Sequence, residues 1–468
     1  MLLTVLIVYG IFVLAIGIWT ARYNENMTDF LLAGRRLGVV LATFTLTATY
    51  FGGGYFLGLS SYAYDHGWVA LWQAIGGGLG LILVAFVAFR MRDLAFYTVP
   101  DYLEYRYGGK TIRVLSALLS LIALVGILGA QVLATRAVLA MVGVESNVGL
   151  ILAALIFVGY TVIGGLWAVT LTDFVQVSIA ALGAVIAAVV ALSRTGGYQS
   201  LVATVTAQGV GEGFFTWSGG DISLVMWLTL PMMMYTLIGQ DVYQRLFATK
   251  DGKTARNAGI LSGLVIIAIC VFTVLIGLAA KALFPDLADS SQAATTVISS
   301  FFHPVVAGII LAAVMAAIMS TADSILTAGT SHIIRDFYME VFGVKEEGNE
   351  KRLLALSRLW TLILGVGSIF FALAIPSIID ILNYSYFLYT GGVFVPVVGG
   401  ILWKRATRQG AVAGLLVGAA MAVIGLITKL NVWGIPVEIY SGIVSAVVFI
   451  IIVSLATRQP YMEPRHKA

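Results

Sequence analysis

The stretch that decides the fold is Thr47-Ala48-Thr49-Tyr50-Phe51-Gly52-Gly53-Gly54-Tyr55. It lies inside an apolar run over 37–63, and three successive glycines there release backbone carbonyls from the helical ladder. Backbone freed at membrane depth is tolerated only where it is buried in protein or lines a cavity. The membrane itself follows from composition: 60% of the 468 residues are hydrophobic and 11% charged, and mean hydropathy is +0.98, far from the soluble range. Glycines can also serve simply to let helices approach, so the triplet needs a second observation beside it.

Working outward, apolar runs of about 20 residues, the thickness of a bilayer core, recur along the whole chain. We read thirteen spans, at 2–20, 37–63, 67–90, 114–142, 147–169, 173–193, 221–240, 258–280, 304–331, 354–375, 378–403, 410–428 and 436–456. They leave no room for a soluble domain, so residues 1–468 form a single membrane domain. The first run has no basic stretch before it and no small-residue cleavage pattern after it, and is expected to stay in place as a helix. Basic residues collect on cytoplasmic flanks. With the N-terminus outside and the C-terminus in the cytoplasm, only Arg136, Arg194, Lys281 and Lys429 of the 27 Lys and Arg fall on the outer side. That topology expects a plasma-membrane location, and it explains the net charge of +4 without a nucleic-acid partner.

The seventh span is also interrupted, by Pro231-Met232-Met233-Met234-Tyr235 followed by Gly239-Gln240-Asp241. Broken helices at corresponding positions of two halves point to an inverted-repeat transporter with its site at the midplane. In the ninth span Ala317, Ser320, Thr321 and Ser324 share one helical face, with Asp323 beside them and Asp173 the other ionisable residue of note inside a span. A hard monovalent cation such as Na⁺ takes several oxygens, mostly carbonyl and hydroxyl. The alternative is that these hydroxyls only bond back to their own helix. His and Cys form no transition-metal cluster, the single cysteine, Cys270, excludes an intrachain disulfide, and no nucleophile motif accompanies His66, His303, His332 or His466, so an enzyme is not expected.

Several ordered segments resemble the sodium:solute symporter family, which includes sodium/proline, sodium/glucose, sialic acid and high-affinity choline transporters. They are DFLLAGR at 29–35, YTVIGGLWAVTLTDFVQ at 160–176, AAIMSTADS at 316–324, and Trp403-Lys404-Arg405 followed by Gly410-Ala411. The resemblance covers nearly the whole chain. It implies an all-α fold with the 5+5 inverted repeat of the bacterial leucine transporter, spans two to six (about 37–193) and seven to eleven (about 221–403) being the repeats, with one extra helix before and two after.

It further implies a main sodium site at the backbones of Ala48, Phe51 and Ala317 and the side chains of Ser320 and Thr321. A second sodium site, known in some members, maps to Asp173, Ser320, Asp323 and Ser324. The pocket varies within the family. Where the proline type has aspartate, tryptophan, tyrosine and proline, this chain has Tyr50, Met233, Leu237 and Asp241; two tryptophans of the choline type's aromatic cage are replaced by Leu128 and Gly239. Pocket candidates are Tyr50, Gly53, Tyr55, Gln131, Met234, Tyr235 and Gln240. The expected function is sodium-coupled uptake of a small organic solute, an amino acid such as proline, a quaternary amine or another small polar molecule, by alternating access. The expected partners are that solute and the bilayer, with no obligate protein partner. The alternatives are a proton-coupled symporter of the same fold, or a membrane sensor, for which an output domain is missing after the last helix.

Overall fold

The computed structural model describes residues 32–449 apart from 94, 95, 141, 142, 346, 376 and 434, together with a few isolated positions nearer the ends; within 88–91, at 93 and over most of 146–168 only the backbone is described. The expected first span, the end of the thirteenth and the C-terminal tail thus lie outside the described residues. Among the described residues nine helical stretches are long and apolar enough to cross a membrane, and Val39–Tyr50 and Val437–Val447 are shorter apolar helices.

The chain enters through α1 (Val39–Tyr50), breaks at Phe51 and Gly52, and resumes through a π-helical turn, Gly54–Gly58, into α2 (Leu59–His66). Next come α3 (Leu71–Asp93), the short α4 (Val99–Tyr107), α5 (Lys110–Ala140) and α6 (Ser146–Arg194). The backbone of α6 is helical throughout. The boundary expected between spans 147–169 and 173–193 therefore carries no loop.

After the exposed α7 (Tyr198–Ala207) a second broken helix follows, α8 (Ile222–Thr236) and α9 (Gln240–Phe247), interrupted at 237–239. The remaining helices are α10 (Gly252–Leu283), α11 (Ala293–Phe301), α12 (Pro304–Ser331) with a π-helical extension His332–Val341, α13 (Glu350–Ala374), α14 (Ile378–Leu402), α15 (Arg408–Thr428) and α16 (Ser441–Val447). Each half thus begins with a broken helix followed by a long one.

These two long helices, α3 and α10, cross at glycines. A Cβ on Gly78 would come within 2.7 Å of the Gly263 carbonyl, and one on Gly263 would overlap the Gly78 carbonyl. Without a hydrophobic drive between helices in lipid, such small-residue contacts supply the packing. The helix α12 sits at the centre: every residue from Leu311 to Ser331 is buried, whereas α13 leaves Leu359, Phe370 and Leu373 exposed, as a lipid-facing helix should.

Two polar fastenings hold the basic face. The segment before α1 pairs with the segment after α9, Leu37 N–H donating to the Ala248 carbonyl at 3.0 Å and Lys250 N–H to the Leu37 carbonyl at 3.0 Å. Nearby, the guanidinium of Arg113 in α5 joins Asp101 of α4, Glu104 at 2.6 Å and Asp336 at 2.7 Å. Arg113 is 3% exposed and Asp336 fully buried, so each charge depends on the others for compensation. The amide of Gln240 extends this network, accepting from Val99 N–H at 2.9 Å and donating to the Tyr97 carbonyl at 2.9 Å.

Candidate ion and solute sites

The three glycines of the first break each face a different helix. A Cβ on Gly52 would overlap the Thr321 hydroxyl of α12 and approach the Ala317 carbonyl to 3.1 Å; one on Gly53 would overlap Ala134 of α5 and meet the Gln131 Oε1 at 3.1 Å; one on Gly54 would meet Leu382 of α14 at 2.6 Å. The triplet therefore does both things a glycine run can do in a membrane. It breaks the helix, and it lets the broken ends enter a three-way junction.

At that junction oxygens converge. The Thr321 hydroxyl donates to the Ala48 carbonyl at 3.0 Å, and the Ser320 hydroxyl lies 2.9 Å from the Ala317 carbonyl and 3.5 Å from that of Ala48. Phe51 is the residue at which the helix stops, its N–H bonding the Thr47 carbonyl at 2.8 Å. Ala48, Phe51, Ala317, Ser320 and Thr321 thus lie where α1 ends against the middle of α12, all of them buried. Carbonyl and hydroxyl oxygens without a carboxylate among them suit a monovalent, weakly charged ion, so the donor set fits Na⁺.

Beside this junction lies a narrow cavity at which both helix breaks meet. Tyr50, Tyr55, Gln131 and Tyr235 line it, and so does Thr321. Gly53 stands behind the lining, its N–H bound to the Gln131 Oε1 at 3.0 Å. Two expected pocket residues go elsewhere. Met234 is directed at Gly442 of α16, and Gln240 is spent on α4 as described above. Met234 is the neighbour of Tyr235 and Gln240 the neighbour of Asp241, and successive helical residues point about 100° apart, so when Tyr235 and Asp241 face the cavity these two turn away from it. In their place the cavity takes Asp241 and Tyr386. Asp241 Oδ1 accepts a hydrogen bond from the Tyr235 hydroxyl at 2.8 Å, and the rings of Tyr235 and Tyr386 lie 4.6 Å apart.

The residues expected for a second sodium surround a guanidinium. Arg245, fully buried in α9, donates to the Ser324 hydroxyl, to the Thr45 hydroxyl at 3.1 Å and to the Asp241 backbone carbonyl at 2.9 Å. Thr45 in turn donates to Asp173 at 2.5 Å. The charges acting on Arg245 are those of Asp173, Asp241 and Asp323. A sodium ion placed among Asp173, Ser320, Asp323 and Ser324 would share Ser324 with a resident cation and be repelled by it. As arranged here, the set does not fit a second sodium. Sequence reading missed Arg245 because it counted as one of the cytoplasmic basic residues; its position one turn after Asp241 is the signal that was available.

One further group of residues has the order of a hydrolase relay: Ser120 Oγ lies 2.8 Å from His332 Nε2, and His332 Nδ1 2.8 Å from Asp336 Oδ2. Ser120 is 1% exposed and His332 fully buried, and Asp336 is held by Arg113. A nucleophile sealed in this way reaches no substrate. The relay is part of the ionic cluster.

A broken-helix membrane fold with an oxygen-lined junction beside a closed cavity defines a secondary transporter. The sequence matches the Sodium:solute symporter family over residues 30–418, and the chain belongs to that family. It is 28% identical over 469 residues to the osmoregulated proline transporter of Bacillus subtilis, covering 97% of this chain and 94% of the relative, and 30% identical to the sodium/pantothenate symporter of Escherichia coli, covering 89% and 88%. The fold superposes on an outward-open Na⁺-coupled sialic acid symporter with a TM-score of 0.81 at 22% identity, over 98% of each chain. It also superposes on the nucleobase-cation-symport-1 family transporter Mhp1 with a TM-score of 0.61 at 14% identity, over 92% of this chain and 95% of that one. The protein is a sodium-coupled symporter for a small solute, not an enzyme, and its fold is the inverted-repeat fold of the leucine transporter.

Proposed function

We propose that one Na⁺ binds between the end of α1 and the middle of α12, at Ala48, Phe51, Ala317, Ser320 and Thr321, and drives uptake of a small organic solute held in the adjoining cavity. The observation that carries this is Thr321, whose hydroxyl lies among the oxygens of the junction and whose side chain lines the cavity. An ion that fixes Thr321 against Ala48 also fixes one wall of the solute site. Binding free energies of ion and solute are then coupled, each raising the affinity for the other by the same factor. Rocking of one helix bundle against the other presents both to the cytoplasm, driven by the sodium gradient and by roughly 2.3 kcal/mol per charge per 100 mV of membrane potential.

We place the protein in the plasma membrane with the N-terminus outside and the C-terminus cytoplasmic, a reading that rests on the distribution of Lys and Arg along the sequence and puts the Arg113 cluster and the Leu37 pairing on the inner face. The repeats run over about 37–193 and 221–403. The family relatives carry proline and pantothenate by name, which brings both solutes forward as first trials. In proteoliposomes, uptake of labelled L-proline, choline or pantothenate should follow an inward Na⁺ gradient and vanish when K⁺ is the sole cation. Equal accumulation in K⁺ with an inward proton gradient would instead make the proton the coupling ion. The Ser320→Ala, Thr321→Ala double variant should lose Na⁺ affinity at least about ten-fold, two hydroxyl ligands being worth about 1.4 kcal/mol or more together.

A further inference from the structure

Of the described residues that line the cavity, one carries a carboxylate, Asp241. A charge taken out of water has to be compensated by partners or a coordinated ion.

Asp241 is 3% exposed and lines the cavity. Its carboxylate stands in the first turn of α9, where the helix dipole favours a negative charge. The hydrogen bonds of Arg245 go to Ser324, to Thr45 and to the Asp241 backbone, not to that carboxylate. Around it the cavity is walled by tyrosine rings, Tyr50, Tyr235 and Tyr386. Ring faces beside a buried carboxylate attract a positively charged nitrogen both by direct charge and by the ring quadrupole. No Lys or Arg lines the cavity among the described residues, so an anionic solute would set its carboxylate against Asp241 with nothing to offset it.

We infer that the solute carries a positively charged nitrogen, seated between the Asp241 carboxylate and the rings of Tyr50, Tyr235 and Tyr386; this rests on the sodium-coupled reading above. Net cations and zwitterions both satisfy it. A solute whose only charge is a carboxylate does not. Thr321, shared by the cavity wall and the ion junction, couples the solute's binding to that of Na⁺.

The test is thermal unfolding of the detergent-purified full chain, in NaCl and in KCl, with choline, glycine betaine, L-proline and pantothenate as probes. A bound solute raises stability in proportion to RT ln(1 + [L]/Kd). At least one nitrogen-cation probe should stabilise the protein in NaCl and not in KCl, and pantothenate should do nothing. Asp241→Asn should weaken that probe at least about thirty-fold, as loss of one partner of a buried charge pair does. The proposal falls if pantothenate stabilises while the nitrogen cations do not, if none of the nitrogen cations does so in NaCl, or if Asp241→Asn binds the probe with undiminished affinity. The shift produced by NaCl alone is read separately. Its presence in Asp241→Asn shows that the variant is folded and the ion site intact, and its absence from the unaltered protein would overturn the sodium reading instead. Should Asp241→Asn not fold, Tyr386→Leu serves: removing one ring should cost the nitrogen-cation probe about five- to thirty-fold, and unchanged affinity there would count against the proposal.

Discussion

The two broken helices open the two halves of the molecule, yet their breaks are built from different chemistry. The first, between α1 and α2, is made of glycines and presents backbone and hydroxyl oxygens to α12. The second, between α8 and α9, presents a carboxylate, Asp241, and a ring, Tyr235, to the cavity. Bare carbonyl oxygens suit a small ion that can be surrounded on all sides. A charged side chain among rings suits a larger body with one charged end. Elements in corresponding positions have thus divided the work, and the first break is the less tolerant of the two because its function lies in the backbone.

Three substitutions would break or sharpen that contrast. Gly52→Ala should have the largest effect, since its Cβ overlaps the Thr321 hydroxyl. Sodium-dependent uptake should drop at least about a hundred-fold, a steric conflict in a closed junction costing some 3 kcal/mol. Retention of sodium-dependent uptake by this variant would remove the first break from the ion site. Arg113→Met comes next. It strands Asp101 and Asp336 without their cation, and thermal melts should show a loss of about 3 kcal/mol. The smallest effect belongs to Gln240→Leu, which removes the hydrogen bonds that Gln240 makes with the Val99 N–H and the Tyr97 carbonyl at a cost of about 2 kcal/mol. Its solute affinity should stay within about two-fold of the parent in a binding titration, because Gln240 faces α4 and not the cavity. A greater loss of affinity would return Gln240 to the solute site.

Much of this was legible in the sequence because it depends on backbone chemistry that residue types announce. Gly52 to Gly54 and Gly239 mark the breaks, whereas Pro231, also expected to interrupt its span, lies inside α8 and the break comes at 237–239; the face of Ala317, Ser320, Thr321 and Ser324 follows from helical spacing alone. The solute side was harder to read. Tyr386 lies in α14, a helix whose apolar residues surround it on all sides, and such a helix carries no periodic signal to say which face turns inward. Asp241 was visible as part of an interruption but its direction was not, because the 237–239 break sets the rotation of α9 relative to α8. Arg245 was hidden by a rule that is sound on average. Basic residues at the ends of spans usually meet water and lipid headgroups, and only the packed structure turns this one inward to three carboxylates.

The pairing of Leu37 with Ala248 and Lys250 has a mechanical meaning. It yokes one half of the first broken helix to one half of the second, and these halves carry Ala48 and Asp241 respectively. Two levers fastened at their bases cannot swing independently. When that end opens, the floor beneath the ion and the floor beneath the solute must be withdrawn in one stroke, which makes leakage of either cargo alone a question of geometry as well as of affinity.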